Sequence, residues 1–233
     1  MSITETKIPS TKGNLAAAIH YPENKTDKLA ILCPGYLDSK NYKHLVGLAE
    51  VLREQEYTVV RFEPTGTWES EGDISDYTTS QYLEDIKNVL EYMLSQAGYK
   101  QILLSGHSRG GQVSIVLGIM PSSGPIEGQR REEWEKNSIS VSQRDLPDNK
   151  DKKLDRDQYD AVGDAKKIKA PIILIAGELD DLVRPDDVRE IFDSANGPKK
   201  FLVIPGIGHD YRYNDNEVSM VNEKILEQLN SIK

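Results

Sequence analysis

One cysteine, Cys33, is all that the 233-residue chain carries, so no intramolecular disulfide can form and no thiolate cluster can hold zinc. It lies in the apolar run LAILC, which predicts a buried, inert thiol. Basic residues are in deficit: 29 Lys and Arg stand against 38 Asp and Glu, a formal charge of -9. Such a chain has no positive field to gather phosphate backbones or anionic headgroups, which argues against nucleic acid and membrane surfaces as partners. Long apolar runs are missing too, since no stretch of about 18 apolar residues occurs. The N-terminus, MSITETKIPS, lacks the cationic start and apolar segment of a secretory leader, and the expected location is cytoplasmic. Neither a G-x-G-x-x-G fingerprint nor a metal-ligand spacing is present, so no cofactor and no metal are expected.

What the chain does contain is a globular balance, 37% hydrophobic and 29% charged, with a length suited to one α/β domain. Short apolar runs alternate with amphipathic ones, which predicts a mainly parallel sheet flanked by helices. The predicted buried strands are LAILC (29–33), YTVVRF (57–62), QILLSG (101–106), PIILIAG (171–177) and KFLVIPG (200–206). Residues 3–21 read as a leading hairpin turning at Lys12-Gly13-Asn14. Helical spacing predicts one face from Leu45, Leu48, Ala49 and Leu52, and another from Leu83, Ile86, Leu90 and Met93 behind a cap at Thr78 and Gln81. Pro185 and Gly197 bracket a shorter helix, and Val218, Val221, Ile225, Leu229 and Ile232 mark the last. From about 121 to 168 the alternation fails. GQRREEWEK and DLPDNKDKKLDRDQYD are too charged to bury a core, so this segment is expected to be a polar flap inserted in the domain.

The chemistry concentrates around G-H-S-R-G, residues 106–110. This fits the G-x-S-x-G nucleophile elbow, and it follows an apolar strand directly, as the elbow requires. A helix carrying Val113, Val116, Leu117 and Met120 is expected after it. Serine is a poor nucleophile until a base takes its proton, and only four histidines are available. His20 falls in the hairpin, His44 in an amphipathic helix, and His107 is the x of the elbow, pointing away from the nucleophile's side. His209 remains, on a G-I-G-H loop at the C-terminal end of a predicted parallel strand, where sites in such sheets gather. An orienting carboxylate is expected between serine and histidine in the chain and just after a strand. Asp180 meets both demands in G-E-L-D-D-L-V, with Asp181 as its rival.

That stretch resembles the G-x-x-D-x-x-V loop of the α/β-hydrolases through Gly177, Asp180 and Val183, and the likeness favours Asp180. It extends over most of the chain and implies an α/β-hydrolase fold. C-P-G-Y-L (33–37) is similar to the family's oxyanion loop, so the backbone N–H groups of Tyr36 and Arg109 are implied as the oxyanion donors; Pro34 replaces a usual histidine. E-P-T-G-T-W-E-S-E-G (63–72) is similar to D-x-R-G-x-G-x-S-x-G, with Glu63, Thr65 and Trp68 as departures. Trp68 is expected either to fill a surface gap or to reach the substrate pocket, and Trp134 either to anchor the flap or to wall that pocket. Among relatives the chain looks most like small carboxylesterases, including the cinnamoyl and feruloyl esterase group, and monoglyceride-lipase-like hydrolases. The implied activity is a serine hydrolase acting through an acyl-enzyme on Ser108. A polar flap offers no apolar lid to an oil interface, so the expected partner is a water-soluble, short-acyl or aromatic ester. Amide, peptide or thioester cleavage by the same residues, and a non-catalytic binding protein, are the competing readings. Ser108 itself excludes the dehalogenase and epoxide hydrolase chemistries, which need a carboxylate at the elbow.

Overall fold

The computed structural model describes residues 2–114, 117–121, 155 and 157–231. Most of the expected flap, Trp134 included, lies outside them.

The leading hairpin forms as expected: β1 (Ser2–Ser10) and β2 (Gly13–Tyr21) pair antiparallel, with Ser10 opposite Gly13. The turn itself is Thr11-Lys12, one step before the expected position. Gly13 takes φ +127°, and a Cβ there would also meet Glu71 Cβ at 2.7 Å. Next come β3 (Lys28–Cys33), α1 (Lys43–Glu54) and β4 (Tyr57–Phe62), then α2 (Thr79–Gln96) and β5 (Gln101–His107). They are followed by α3 (Arg109–Ser114), β6 (Leu117–Ile119), α4 (Ala161–Ala165) and β7 (Ile172–Gly177), and finally by α5 (Pro185–Ser194), β8 (Lys199–Ile204) and α6 (Asp215–Ser231). Among the described residues the strands make one eight-stranded sheet in the order β1-β2-β4-β3-β5-β6-β7-β8. It is parallel from β4 to β8, with the hairpin added antiparallel at one edge.

Alternation along the strands divides the core between the two faces of the sheet. In β3, Ala30 and Leu32 join Leu45, Leu48, Ala49 and Leu52 of α1 and Val218, Val221 and Ile225 of α6. Leu29, Ile31 and Cys33 point the other way, against Tyr82, Ile86, Val89 and Met93 of α2. The α2 stripe is therefore rotated from the expected one: Leu83 and Leu90 are half-buried, while Tyr82 and Val89 are buried. Ile172, Leu174 and Ala176 of β7 pack under α4 and α5 through Ala161, Ala165, Val188 and Ile191. β8 is an edge strand and only half-buried along most of its length, which corrects the expectation of a buried one.

The helix after Ser108 is also shorter than expected. α3 stops at Ser114, and Leu117–Ile119 is a strand, with Met120 beyond it at φ +47°. Tertiary pairing overrides the helical spacing here. β6 lies between the last residues of β5 and those of β7, pairing Gly118 with Gly106 and with Leu174, and the Ile119 carbonyl accepts the Ser108 N–H at 3.0 Å. So short a connection reaches only the C-terminal half of β5. Ile102, lower on that strand, is left 42% exposed.

The cap at Thr78 is present, its side chain accepting the Gln81 N–H at 3.1 Å, and Asp155 adds a second cap by accepting the Thr79 N–H at 2.6 Å. Gln81 does not complete a capping box. Its amide donates to Asp85, a fully buried carboxylate that also accepts from the Thr65 N–H at 2.8 Å, Thr65 Oγ1 at 2.8 Å and Ser10 Oγ at 2.7 Å. Asp85 therefore ties the first hairpin and the 63–72 loop to α2. Asp85→Ala would orphan a buried main-chain N–H and two hydroxyls, and is expected to cost about 3 kcal/mol, or ~6–12 °C in Tm at this chain length. Thermal denaturation checks it; a shift under about 2 °C would deny Asp85 that role.

Candidate active site

Ser108 stands at the β5–α3 junction with φ +54°, a conformation that costs a β-carbon-bearing residue energy and that the surrounding backbone must hold. Both elbow glycines serve that hold. A Cβ on Gly106 would lie 2.3 Å from the Gly110 carbonyl carbon, and one on Gly110 would lie 2.0 Å from the Cys33 carbonyl oxygen. The turn thus closes directly onto the end of β3.

His209 and Asp180 come from the loops after β8 and β7, which are joined to each other. The Leu179 N–H donates to the Ile207 carbonyl at 2.9 Å, and Gly177 leaves room for that same carbonyl, which a Cβ would approach to 2.4 Å. His209 Nε2 lies 3.1 Å from Ser108 Oγ, and His209 Nδ1 lies 2.8 Å from Asp180 Oδ2. The second oxygen of Asp180 accepts the main-chain N–H groups of Leu182 at 3.0 Å and Val183 at 2.7 Å, which orients the carboxylate. All three side chains are buried, whereas Asp181 is exposed and turned to solvent. The geometry therefore brings together Ser108, His209 and Asp180, and leaves the rival aspartate out.

The loop after β3 lies against this chain of hydrogen bonds. Tyr82 Oη donates to the Pro34 carbonyl at 2.7 Å, the Asp38 N–H donates to the Gly35 carbonyl at 3.2 Å, and Leu37 takes φ +57°. Arg109 is the first residue of α3, so its N–H belongs to the turn that has no intrahelical acceptor. Its guanidinium stacks 4.3 Å above the Tyr77 ring and 5.7 Å from that of Tyr36. Burial pushes the Tyr77 phenol up to about 12, so it remains a donor, and it reaches the Leu37 N–H at 3.4 Å as an acceptor.

Glu63 holds the neighbouring loop. Buried, it accepts from Ser39 Oγ at 2.8 Å and the Lys40 N–H at 3.3 Å with one oxygen, and from the Glu69 N–H at 2.9 Å with the other. A longer carboxylate thus joins this loop to the one that follows β3. Trp68, 38% exposed at φ +46°, donates Nε1–H to the Leu37 carbonyl at 2.8 Å and meets Tyr42 edge-on at 5.8 Å. It braces the outside of the loop that carries Tyr36.

Cys33 is buried, and burial pushes its thiol up, in keeping with an unreactive group. His20 is buried as well, between Glu50 at 2.9 Å and Arg61 at 2.9 Å, remote from Ser108 in the fold of the first hairpin. A polar cluster that sequence spacing does not announce lies directly behind His209: Asp38, His44, His107 and Arg212, all buried. Asp38, His44 and His107 each bring a ligand-type atom within 4.8 Å of the others. Arg212 Nη1 already sits 3.3 Å from Asp38 Oδ1, however, so a divalent cation there would put a further double charge beside a buried guanidinium. The ring nitrogens of His44 and His107 have no hydrogen-bond partner among the described residues, but the only carboxylate of the set is already neutralised by the guanidinium, so the cluster does not fit a metal. Among the described residues no helix is long and apolar enough to cross a membrane.

Residues 24–128 match a family model described as serine aminopeptidase, S33. Two uncharacterized proteins from two strains of Mycobacterium tuberculosis are 33% identical over 54 residues, 23% of this chain and 19% of each relative's length. Over nearly the whole chain the fold is similar to those of solved structures. A ferulic-acid-bound Est1E of Butyrivibrio proteoclasticus is 20% identical, with TM-score 0.75 and coverage of 97% of this chain and 98% of that one. An esterase of Pyrococcus furiosus is 20% identical, with TM-score 0.76 and coverage of 99% and 91%. An alpha-beta serine hydrolase homologue of Coxiella burnetii is 19% identical, with TM-score 0.71 and coverage of 98% of both chains.

Proposed function

We propose that this chain, an α/β-hydrolase by fold, is a serine hydrolase that cleaves carboxylic esters through an acyl-enzyme on Ser108. The observation that carries the reading is the unbroken chain from Ser108 Oγ to His209 Nε2 at 3.1 Å and from His209 Nδ1 to Asp180 Oδ2 at 2.8 Å. A base within hydrogen-bond reach of a hydroxyl, itself oriented by a fixed carboxylate, is the arrangement nucleophilic catalysis needs.

His209 Nε2 takes the Ser108 proton as Oγ bonds to the substrate carbonyl carbon, and the carbonyl π pair moves onto oxygen. The main-chain N–H groups of Tyr36 and Arg109 stabilise that oxyanion. Collapse re-forms the carbonyl and expels the alkoxide, which takes the proton from His209. Water then gives its proton to His209, attacks the acyl carbon and releases the acid, returning the proton to Ser108.

Labelling with a fluorophosphonate tests the reading. Stoichiometric adduct on the native protein, lost in Ser108→Ala, is the expected result; no adduct on the native protein favours a non-catalytic binding protein, and label that survives the substitution removes Ser108 from its role. The Est1E structure with ferulic acid supports an aromatic acyl group, and the polar composition of 121–168 supports water-soluble substrates. Across p-nitrophenyl esters, kcat/KM is expected to peak at short or aromatic acyl groups; a steady rise beyond about ten carbons contradicts the composition argument. The serine aminopeptidase description of the matched family favours a second reading, aminoacyl amide cleavage by the same residues. Aminoacyl p-nitroanilides turned over faster than the esters would establish it.

A further inference from the structure

We propose that the buried pair Asp38–Arg212, with His107 packed between it and His209, is a positioning and charge-setting unit for the catalytic histidine. The inference rests on the hydrolase reading of Ser108, His209 and Asp180.

Asp38 lies on the loop after β3 that also carries Tyr36. Arg212 lies in the turn Tyr211–Tyr213, directly after His209, with Nη1 3.3 and 3.4 Å from the two oxygens of Asp38 and Nη2 2.9 Å from Asp210 Oδ1. His107, the residue before Ser108, fills the space between. Its Nδ1 is 3.8 Å from Asp38 Oδ2, and its ring lies against that of His209, with centroids 4.7 Å apart and planes at 41°. His44 of α1 closes the far side, with Nε2 3.6 Å from Asp38 Oδ2 and its ring edge-on to His107 at 5.3 Å and to Tyr211 at 6.0 Å. Gly35 is required by the same contacts, because a Cβ there would meet Asp38 Oδ2 at 2.6 Å and His107 Nδ1 at 3.3 Å. One ion pair therefore ties the loop bearing the oxyanion donor to the loop bearing the base, and the elbow's own histidine is the wedge between them.

Titratable groups face this space from α1, β5, the loop after β7 and the Tyr211–Tyr213 turn, whose Tyr213 ring lies 5.0 Å from the Arg212 guanidinium. Burial pushes His44 down to about 3 and His107 well below the ordinary histidine range, so both are neutral through the working pH range. Burial also holds the Tyr211 phenol neutral. Asp180 contacts His209 from the opposite edge, and Asp210 sits at the solvent rim beside Arg212. With the half-exposed Asp210 as a second partner of Arg212 at the rim, the buried full charges behind the base among the described residues are thus the Asp38 carboxylate and the Arg212 guanidinium. Their effects on a protonated His209 oppose each other, and removing either one exposes the other.

The two neutral variants therefore carry predictions of opposite sign. Asp38→Asn leaves Arg212 with only the half-exposed Asp210 as counter-charge, disfavours the imidazolium, and is expected to move the acid limb of kcat/KM down by about half to one pH unit. Arg212→Met leaves Asp38 unbalanced, favours the imidazolium, and is expected to move that limb up by a similar amount. In both, kcat falls more than KM changes, because the base and the oxyanion donor lose their fixed spacing. The double variant is expected to return the limb to within about 0.3 unit of native. NMR titration of the four histidine Hε1 signals in a Ser108→Ala background reads the same shifts at His209 without turnover. It separates failure of this inference from failure of the hydrolase reading, which the fluorophosphonate decides. Shifts of the same sign, or under about 0.3 unit in both variants, overturn the proposal. Where a neutral variant does not fold, Asp38→Glu and Arg212→Lys keep each charge: a native titration supports the assignment, and a displaced one overturns it.

Discussion

Ser108→Ala is expected to lower kcat by on the order of 10⁴–10⁶-fold while leaving KM within a few-fold, the pattern for an interaction made only in the transition state. The proton path explains the size. Without Oγ nothing adjoining His209 Nε2 can attack, and the residual rate comes from the oxyanion donors and from binding alone. Asp180→Asn is expected to cost about 10⁴-fold by a different route, because an amide that presents N–H to His209 Nδ1 favours the wrong tautomer. It also weakens the anchorage of this side chain, whose second oxygen now accepts from Leu182 and Val183. Asp181→Asn, on an exposed side chain one residue further on, is expected to stay within about two-fold, as surface substitutions do. Steady-state kinetics on one good ester would measure all three. Equal losses at 180 and 181 would mean that the loop, and not one carboxylate, is being read.

The three residues that make this chain of hydrogen bonds were legible in the sequence because each sits in a local pattern at the end of an apolar strand. The elbow needs only five consecutive residues, and the constraint behind it is visible as two glycines whose Cβ atoms would strike backbone. The choice of Asp180 over Asp181 rests in the sequence on the likeness to the G-x-x-D-x-x-V loop, and the structure gives that spacing a local reason, since the carboxylate and the two N–H groups that fix it lie within three residues. Where a contact spans the chain, the signal vanishes. Asp38 and Arg212 are 174 residues apart and have nothing in their spacing to pair them. In the sequence His107 is the variable residue of the elbow, pointing away from the nucleophile's side; the packing that puts its ring against His209 exists only after β5 and β8 take their places in the sheet.

The misread helix after Ser108 has a similar origin. Val113, Val116, Leu117 and Met120 have helical spacing, yet GQVSIVLGIM is also rich in β-branched residues, and periodicity does not arbitrate over so short a run. The arbiter is the gap between β5 and β7, which has to be bridged by main-chain hydrogen bonds. Glu63 gives the opposite lesson. It reads as a departure in the 63–72 loop, yet its buried carboxylate accepts from Ser39, Lys40 and Glu69 and ties that loop to the one after β3.

Gly110→Ala is expected to be severely destabilising, because a Cβ there makes the shortest contact of any described glycine. The added Cβ would lie 2.0 Å from the Cys33 carbonyl oxygen, 2.5 Å from that of Pro34 and 2.6 Å from the Cys33 carbonyl carbon. All three are main-chain atoms at the end of a central strand, so no side-chain rotation relieves the contact, and β3 and α3 must part by more than about 1 Å. A cost of about 4 kcal/mol or more is expected, a fall of roughly 8–15 °C in Tm. The same displacement moves Pro34 and Tyr36 away from the elbow, so fluorophosphonate labelling of whatever remains folded is expected to slow at least tenfold. Gly98→Ala is the control: a Cβ there meets nothing within 4 Å, and its Tm is expected to stay within about 2 °C of native. If Gly110→Ala melted with the control, close packing of the elbow on β3 would not be what holds Ser108 at its positive φ, and the burden would fall on the Ser108 N–H bond to Ile119.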